Sequence, residues 1–473
     1  MLPSPAGLGP TIGETMQQPF DISADLDTPV SAWLKLTAFR PRFLLESVES
    51  GNRLGRYSFI GLGDALRVRL GADGLNVDGD VAPRPTTSAE LLDGLRKALA
   101  LAPALAPDVP ELPFQGGLVG AAGYDLVRYF EKLIRQPGGS VPEGTWVAPE
   151  SLLVFDHLSR RAALLHAGSE SDRQALRREV IRALSGGVPF MPAGDFSDPV
   201  PSMTREAFLE AVDAAKENIA AGDVYQLVLS IAFSGRCRVP PFQVYRALRL
   251  LNPSPYMYFI ELDGLAVAGS SPEALVRLNG RDAALRPIAG TRPRGRTDAA
   301  DLRHEQELLD DPKEAAEHVM LVDLARNDLG RVGVPGTIRV NPSRSIERYS
   351  HVMHLVSGVT GELEAGRDAF DLFAAAFPAG TLVGAPKVRA MELIDTYEPC
   401  PRELYAGTVG YFDKGGNMDQ AIAIRTIVFS DGEYRYQAGA GIVADSVPEN
   451  EFNEVMAKSA ILRRALEMAR EGL

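Results

Sequence analysis

The chain has 473 residues, 45% hydrophobic and 23% charged, the balance of an ordinary globular enzyme with room for several domains or one large shared core. Its net charge of −13 argues against a general nucleic-acid-binding surface but leaves room for an anionic small substrate in a local basic pocket. Only two cysteines occur, Cys237 and Cys400, far apart and without metal-ligand spacing; this excludes a disulfide framework and fits a reducing cytosol.

Residues 1–19 are rich in Gly and Pro, lack the basic and apolar blocks of a signal peptide, and read as a loosely ordered tail. No apolar run reaches the length of a membrane span, so no membrane association is expected and the cytoplasm is the expected location. Residues 20–185 mix short strands at Arg56–Ile60 and Ala65–Leu70 with helices at Leu91–Leu101 and Arg173–Leu184. The stretch 186–202, dense in Gly and Pro and without periodicity, reads as a linker into a larger region, 203–473.

In that region Phe208, Val212, Ala215 and Ile219 form the stripe of a helix that stops at Gly222. Strands are expected at Tyr225–Phe233, Met257–Leu262, Leu265–Gly269, His351–Thr360, Gly407–Phe412, Ala421–Phe429 and Tyr434–Ala438. Helices are expected at 241–250, 303–328, 368–376, 386–396 and 448–471. Strands cluster instead of alternating strictly with helices, so the predicted class is α+β and not a doubly wound parallel sheet.

The run Asp311 to Arg331 carries the most distinctive chemistry. Pro312 suits a first helical turn, and Asp311 can cap it. The apolar middle, Val319 to Ala325, predicts a helix buried on most sides, yet Glu314 and Glu317 sit one turn apart on it. After Ser446-Val-Pro-Glu449, which reads as a capping box, a second helix carries Glu451 and Glu454, with Lys458 a turn beyond. Two such pairs can offer oxygen ligands to a hard divalent ion, and Mg²⁺ suits them better than zinc because no Cys or His cluster accompanies them. The alternative is surface salt bridges with Lys458, Arg463 and Arg464, and spacing alone favours it.

Five further stretches can carry chemistry. Gly290-Thr291 lies in a turn and can present amides and a hydroxyl to a carboxylate, or be an ordinary turn. The loop Phe377 to Lys387 leads into a helix N-terminus, where Thr381 and Lys387 can meet an anion or simply pack. Arg425 stands in the apolar strand Ala421–Val428, and a buried guanidinium calls for an anion. Tyr405 is a ligand donor or a packed aromatic; His354 is an acid–base group or a packed ring. Gln437-Ala-Gly-Ala-Gly441 ends a strand, and its glycines suggest close approach of backbone to a ligand. No Ser-His-Asp or Cys-His order and no P-loop is present.

The segments PIAGTRPRG, DPKEAAEHVMLVDLARNDLGRV, YSHVMHLVSGVTG, AGTLVGAPKVRAMELID, YAGTVGYF, GNMDQAIAIRT and QAGAGIVADSVPENEFNE resemble the chorismate-utilising enzymes, and within them the anthranilate synthase component I family. They run in family order and cover most of residues 287–458. The resemblance implies a large two-sheet core with helices outside and an N-terminal part carrying a regulatory pocket. It implies Glu317 and Glu454 as Mg²⁺ ligands with Glu314 and Glu451 as neighbours. Chorismate would be bound by Gly290, Thr291, Tyr405, Arg425 and the backbone of Gly439, Ala440 and Gly441. His354 and Thr381 would take part in the chemistry. The implied reaction adds ammonia to chorismate and eliminates pyruvate to give anthranilate, the first committed step of tryptophan biosynthesis.

Two positions bear on the branch. Ala289 stands where the lysine-nucleophile members read PIKGT, and Gln226 stands where isochorismate and salicylate synthases carry a water-activating lysine. Lacking both, the site resembles one built for an external amine, with aminodeoxychorismate synthase component I of folate biosynthesis as the alternative. Phe43-Leu-Leu-Glu-Ser47 and Asn252-Pro-Ser-Pro-Tyr-Met257 resemble a feedback tryptophan pocket, with Ser47, Pro255, Tyr256 and Met257 at matching positions. No cysteine sits in a nucleophile elbow, so the resemblance implies a separate glutamine amidotransferase subunit (anthranilate synthase component II) in a heterotetramer. A catalytically silent scaffold is the reading of a different class; intact Glu317, Glu454, His354 and Arg425 argue against it.

Overall fold

The structure, a computed structural model, describes residues 19–473 apart from 48–54, 135–138, 140, 263 and 349–351. The tail expected over 1–19 lies outside the described residues except for Pro19, and so does His351. Among the described residues two large sheets, of 12 and 11 strands, and a small one of 3 form the framework. Neighbouring strands pair antiparallel, in the first sheet as Pro41–Glu46 does with Tyr256–Leu262 and in the second as Gly117–Ala122 does with Thr408–Asp413. The α+β class is therefore the one observed.

Strand patterning shows which faces are covered. In Leu66–Gly71, Leu66, Val68 and Leu70 are buried while Arg67 and Arg69 are exposed, the alternation of a strand with one wet face. Gly117–Ala122 and Ser151–Asp156 are buried at every position, because both faces of the central strands are packed. One core lies between the large sheets, where Phe43, Phe59 and Tyr258 of one meet Val119, Val147 and Tyr411 of the other. Phe114 wedges between them, 5.7 Å from the Phe59 ring and 4.7 Å from Tyr411. The larger core lies under the helices.

The elements that position the site are β1 (Pro41–Glu46), β2 (Gln226–Arg236), β3 (Tyr256–Leu262), β4 (Ala274–Asn279), β5 (Met418–Ile422), β6 (Thr426–Ser430) and β7 (Glu433–Ile442), with helices α1 (Pro312–Gly330) and α2 (Pro448–Glu471). Strands from before the linker and after it share both large sheets, since β1 pairs with β3 in one and Gly117–Ala122 with Thr408–Asp413 in the other. The linker stretch 186–202 contributes an edge strand of its own, Val200–Pro201, paired with Phe233 and Ser234 of β2. Among the described residues no helix is long and apolar enough to cross a membrane.

Several sequence expectations are corrected. The helix expected over 303–328 is two helices, Asp298–Asp310 and α1, because Asp311 leaves helical geometry and its carboxylate caps the N–H groups of Lys313 and Glu314 at 2.9 and 3.3 Å. The second of them, α1, is buried along one face only, through His318, Leu321, Ala325, Asp328 and Leu329, with Val319 54% exposed. The expected strand His351–Thr360 is divided at Ser357-Gly358 into Val352–Val356 and Val359–Glu362, which join different sheets. Ser446 forms no capping box; its hydroxyl accepts from the Val443 N–H at 3.0 Å, and α2 starts behind Val447 without a side-chain cap. The strand ending in Gln437–Gly441 continues to Ile442.

Most consequential is the expected strand Ala421–Phe429. Its halves are β5 in the 11-stranded sheet and β6 in the 12-stranded sheet, and Arg425 stands at the crossing with φ of 49°. The chain makes a matching crossing at Pro272 and Glu273, between Leu265–Ser271 and β4. The two crossings run side by side, tied by Ser270 N–H to Arg425 O at 3.1 Å and Ile422 N–H to Glu273 O at 3.0 Å. Glu273 and Arg425 are thereby placed together where two neighbouring strands change sheets.

Candidate active site

A left-handed backbone costs a non-glycine residue about 1–2 kcal/mol, so its occurrence at Arg425 marks a side chain held in an imposed direction. Arg425 is half-buried, and among the described residues its guanidinium makes no hydrogen bond or ion pair. Burial works against its charge and the nearby Glu273 carboxylate supports it. Such a cation is an anion site in waiting.

Glu273 is the residue that the sequence reading missed. Burial pushes its carboxyl up to about 7 against the pull of the Thr381 hydroxyl, Arg425 and Lys458. Thr381 Oγ1 donates to Glu273 Oε1 at 3.0 Å. At neutral pH this carboxyl is poised between acid and base. The only local signal was a carboxylate directly after Ser-Ser-Pro at the end of an apolar strand, which by itself also describes a surface turn. A narrow cleft runs from Glu273 and Thr381 past Leu321, Leu324 and Ala325 of α1 to Asp328.

Gly290 has φ of 65° and sits at an irregularity of the Ile288–Pro293 strand; a Cβ there would meet Glu314 Oε2 at 2.8 Å. Thr291 is opposite His354 on the neighbouring strand. His354 Nδ1 lies 3.0 Å from Gly290 O and 3.1 Å from Thr291 Oγ1. A carbonyl only accepts, so Nδ1 carries the proton and Nε2 the lone pair. Burial holds the ring neutral, opposed by the bond to the Gly290 carbonyl and helped by the Arg425 charge.

Backbone amides complete the anion-facing side. Val228 and Ser230 of β2 send their N–H groups to Val383 O and Glu398 Oε1, away from β7. Their cross-strand partners Gly441 and Gly439 are then non-hydrogen-bonded pairs, with N–H groups facing outward. Pairing of β7 with β6 stops at Tyr436–Ile427, so that outer side is left open. A side chain at Gly439 would meet the Tyr405 hydroxyl at 2.6 Å, and one at Gly441 would meet Gln226 Nε2 at 2.8 Å.

The carboxylates of α1 and α2 come to the same region. Gln226 Nε2 lies 3.5 Å from Glu317 Oε1. Burial and the charges of Glu314 and Glu454 raise the Glu317 carboxyl. Glu451 is raised by burial and by Glu454, with Lys313 of α1 opposing. Glu454 pairs with Lys458 at 2.6 Å, and Lys458 also donates to Gly439 O at 3.0 Å. Glu314 is taken by Arg292 at 2.8 Å. Arg463 and Arg464 pair with Asp198, Glu467 and Glu471, so the salt-bridge alternative holds for Lys458 alone. Mutual repulsion between Glu317 and Glu454 favours a cation between them. Among the described residues no three His, Cys, Asp or Glu groups lie together so as to hold a metal ion on their own. That donor set suits a hard ion that keeps water and substrate oxygens in its shell.

A family profile described as chorismate binding enzyme matches residues 41–464. The chain belongs to the chorismate binding enzymes. Anthranilate synthase component 1 of Thermus thermophilus is 46% identical over 458 residues, covering 95% of this chain and 97% of the relative. The Pseudomonas putida protein of the same name is 44% identical over 475 residues, covering 95% and 94%. The crystal structure of anthranilate synthase component I from Streptococcus pneumoniae superposes with a TM-score of 0.77 at 33% identity, over 88% of this chain and 94% of that one. The menaquinone-specific isochorismate synthase of Escherichia coli, at TM-score 0.68 and 22% identity over 92% and 91%, shares the fold.

In this chorismate binding enzyme the loop lysine suggested as an anion ligand is spent elsewhere: Lys387 Nζ donates to both Asp328 oxygens at 3.0 Å. The two N-terminal motifs, far apart in sequence, are neighbours, since β1 and β3 pair with Met257 opposite Glu46. Pro255 and Met257 are buried, and Ser47 Oγ is buried without a hydrogen-bond partner among the described residues. Arg277 Nε donates to the Tyr256 hydroxyl at 2.7 Å, which donates to Asp419 at 3.0 Å. Arg277 lies on β4 and Asp419 on β5, the strands that run to Glu273 and Arg425.

Proposed function

We propose that the chain is the large subunit of an anthranilate synthase, converting chorismate and ammonia to anthranilate, pyruvate and water. The observation that carries this reading is the placement of Arg425, with no hydrogen bond or ion pair among the described residues, beside the buried Glu273 at the paired sheet crossings, in one region with two carboxylate-bearing helices. Chorismate has two carboxylates, and the site offers two ways to hold a carboxylate. Arg425 and the outward N–H groups of Gly439 and Gly441 take the enolpyruvyl carboxylate. Glu317 and Glu454 would hold Mg²⁺, which when bound compensates the ring carboxylate.

Ammonia adds to the ring as the carbon–oxygen bond of the 4-hydroxyl breaks; the Glu273 proton goes to that oxygen, which leaves as water. The ring then loses the proton on its amine-bearing carbon, taken by His354 Nε2, as the bond from the ring carbon to the enolpyruvyl oxygen breaks; the released enolate takes up a proton on its methylene carbon to become pyruvate, and the ring is anthranilate. Thr381 orients Glu273, and Thr291 and Gly290 orient His354. Gln226, an amide with no basic nitrogen, does not activate water, which leaves an external amine as nucleophile. Glutamine-derived ammonia would come from a partner amidotransferase subunit, which the designation component 1 of the relatives supports.

The purified chain with chorismate, Mg²⁺ and ammonium should form fluorescent anthranilate and pyruvate in equal amounts. EDTA should stop turnover, and added Mg²⁺ should restore it. Aminodeoxychorismate without pyruvate would move the chain to the folate branch, and no product from a folded chain would leave a scaffold role.

Tryptophan, in this reading, binds where β1 meets β3 and favours a less active state. Tyr256 is the group through which that pocket touches β4 and β5. Tyr256→Phe removes both hydroxyl bonds while keeping the ring, and should raise the half-inhibitory tryptophan concentration about tenfold, the scale of an ordinary allosteric coupling. An unchanged inhibition curve would remove Tyr256 from that link.

A further inference from the structure

One buried charge pair joins the elements of the site without reaching the cleft itself. The side chains of Arg402 and Glu398 are 1% and 4% exposed. Arg402 Nε and Nη2 donate to the two Glu398 oxygens at 2.9 and 2.6 Å. The same guanidinium donates to Leu382 O at 2.7 Å and Val228 O at 2.9 Å, and lies 5.5 Å from the centre of the Tyr405 ring. Glu398 Oε1 also accepts from Ser230 N and Oγ at 3.0 and 2.6 Å, and Ser230 Oγ accepts from Gln437 at 2.8 Å.

The hydrogen-bonded threads end close to groups assigned to the site. Val228 follows Gln226 on β2, Leu382 adjoins Thr381, and Gln437 precedes Gly439 on β7. Tyr405 is held directly, through its ring. Burying an ion pair rarely adds stability over apolar side chains of the same volume, so stability does not account for this one. Its distinctive output is direction: a planar fork that fixes two carbonyls and meets two rings, Tyr405 and Tyr124, the latter 5.1 Å away, at once.

We propose that Arg402, oriented by Glu398, is a positioning residue for the reaction, setting Gln226, Thr381, Tyr405 and the Gly439 amide in one register around chorismate. This rests on the placement of chorismate given above. Arg402→Lys keeps the charge against Glu398 but cannot reach Leu382 O and Val228 O together. It should fold with a near wild-type circular dichroism spectrum and lose about 100-fold in kcat, with KM for chorismate moving far less.

The Arg402→Met/Glu398→Gln variant removes both charges while its amide oxygen still accepts from Ser230. It should recover Tm relative to Arg402→Met alone and remain about 100-fold slow. A folded Arg402→Lys chain with wild-type kcat, or a double variant that recovers kcat along with Tm, would overturn the proposal and reduce the pair to a structural one. Anthranilate formation by the wild-type chain is the separate control: its absence would sink the functional reading, whereas equal turnover by wild type and Arg402→Lys sinks this proposal alone.

Discussion

Replacing Arg425 with leucine should lower kcat/KM for chorismate by about a thousandfold while leaving the fold as stable as before. Truncating one partner of a buried, hydrogen-bonded charge pair costs about 2–5 kcal/mol, and about 4 kcal/mol is about a thousandfold. The retained stability follows from the structure, in which Arg425 is half-buried and its guanidinium has no hydrogen-bond or ion-pair partner among the described residues to lose. Both side chains are unbranched at Cβ, so both bear the same cost at φ of 49°. Steady-state kinetics and thermal melts on one preparation decide the matter. A variant that melts as wild type and still binds chorismate normally would take the enolpyruvyl carboxylate away from Arg425.

Glu273→Gln should separate activity from stability, and in opposite directions. Loss of the proton donor should cost about 100- to 10,000-fold in kcat. Stability should rise, because the native carboxyl titrates at about 7 against an ordinary value of 4.5. Below that ordinary value both native and unfolded chains hold the proton, and wild type and variant should match. Between the two values the native state holds more protons than the unfolded one, so the contribution of Glu273 falls as pH rises and is fully lost above about 7. The difference corresponds to about 3 kcal/mol, which the amide, never ionised, does not lose. Urea titrations at pH 5 and pH 8 should therefore show a stability gain for the variant that grows with pH. A gain independent of pH would mean that the Glu273 carboxyl ionises normally in the folded chain.

The contrast between Glu273 and Glu317 shows what made a residue legible in the sequence. Glu317 lies in a helix whose start, at Asp311 and Pro312, is written in local chemistry, so its face could be reasoned from spacing. Glu273 lies in a two-residue crossing between sheets, where neither the period of a helix nor that of a strand applies. For the same reason Arg425 was legible as an unusual residue in an apolar run and illegible as a break in it. Ser446 shows the converse: its residues match a capping box, but its hydroxyl is taken by the Val443 N–H of the incoming turn. Arg402 and Glu398 gave no signal, since their partners include carbonyls and rings brought from Val228, Leu382, Tyr124 and Tyr405.

By itself the sequence determined the α+β class, the start of α1 at Asp311–Pro312 and the apolar stripes and alternations that place each segment in a core. These are local properties, decided by side-chain period and by which residue can close a free N–H. The family motifs, read in order, also carried the family and the candidate site residues. Only the tertiary structure decided that the chain changes sheets at Glu273 and again at Arg425, that the N-terminal strands complete the same sheets as the catalytic ones, and that one arginine ties three elements of the site together. Those outcomes depend on strand partners far apart in sequence and on burial, which sets the ionisation of Glu273. Neither quantity exists until the sheets have closed on each other.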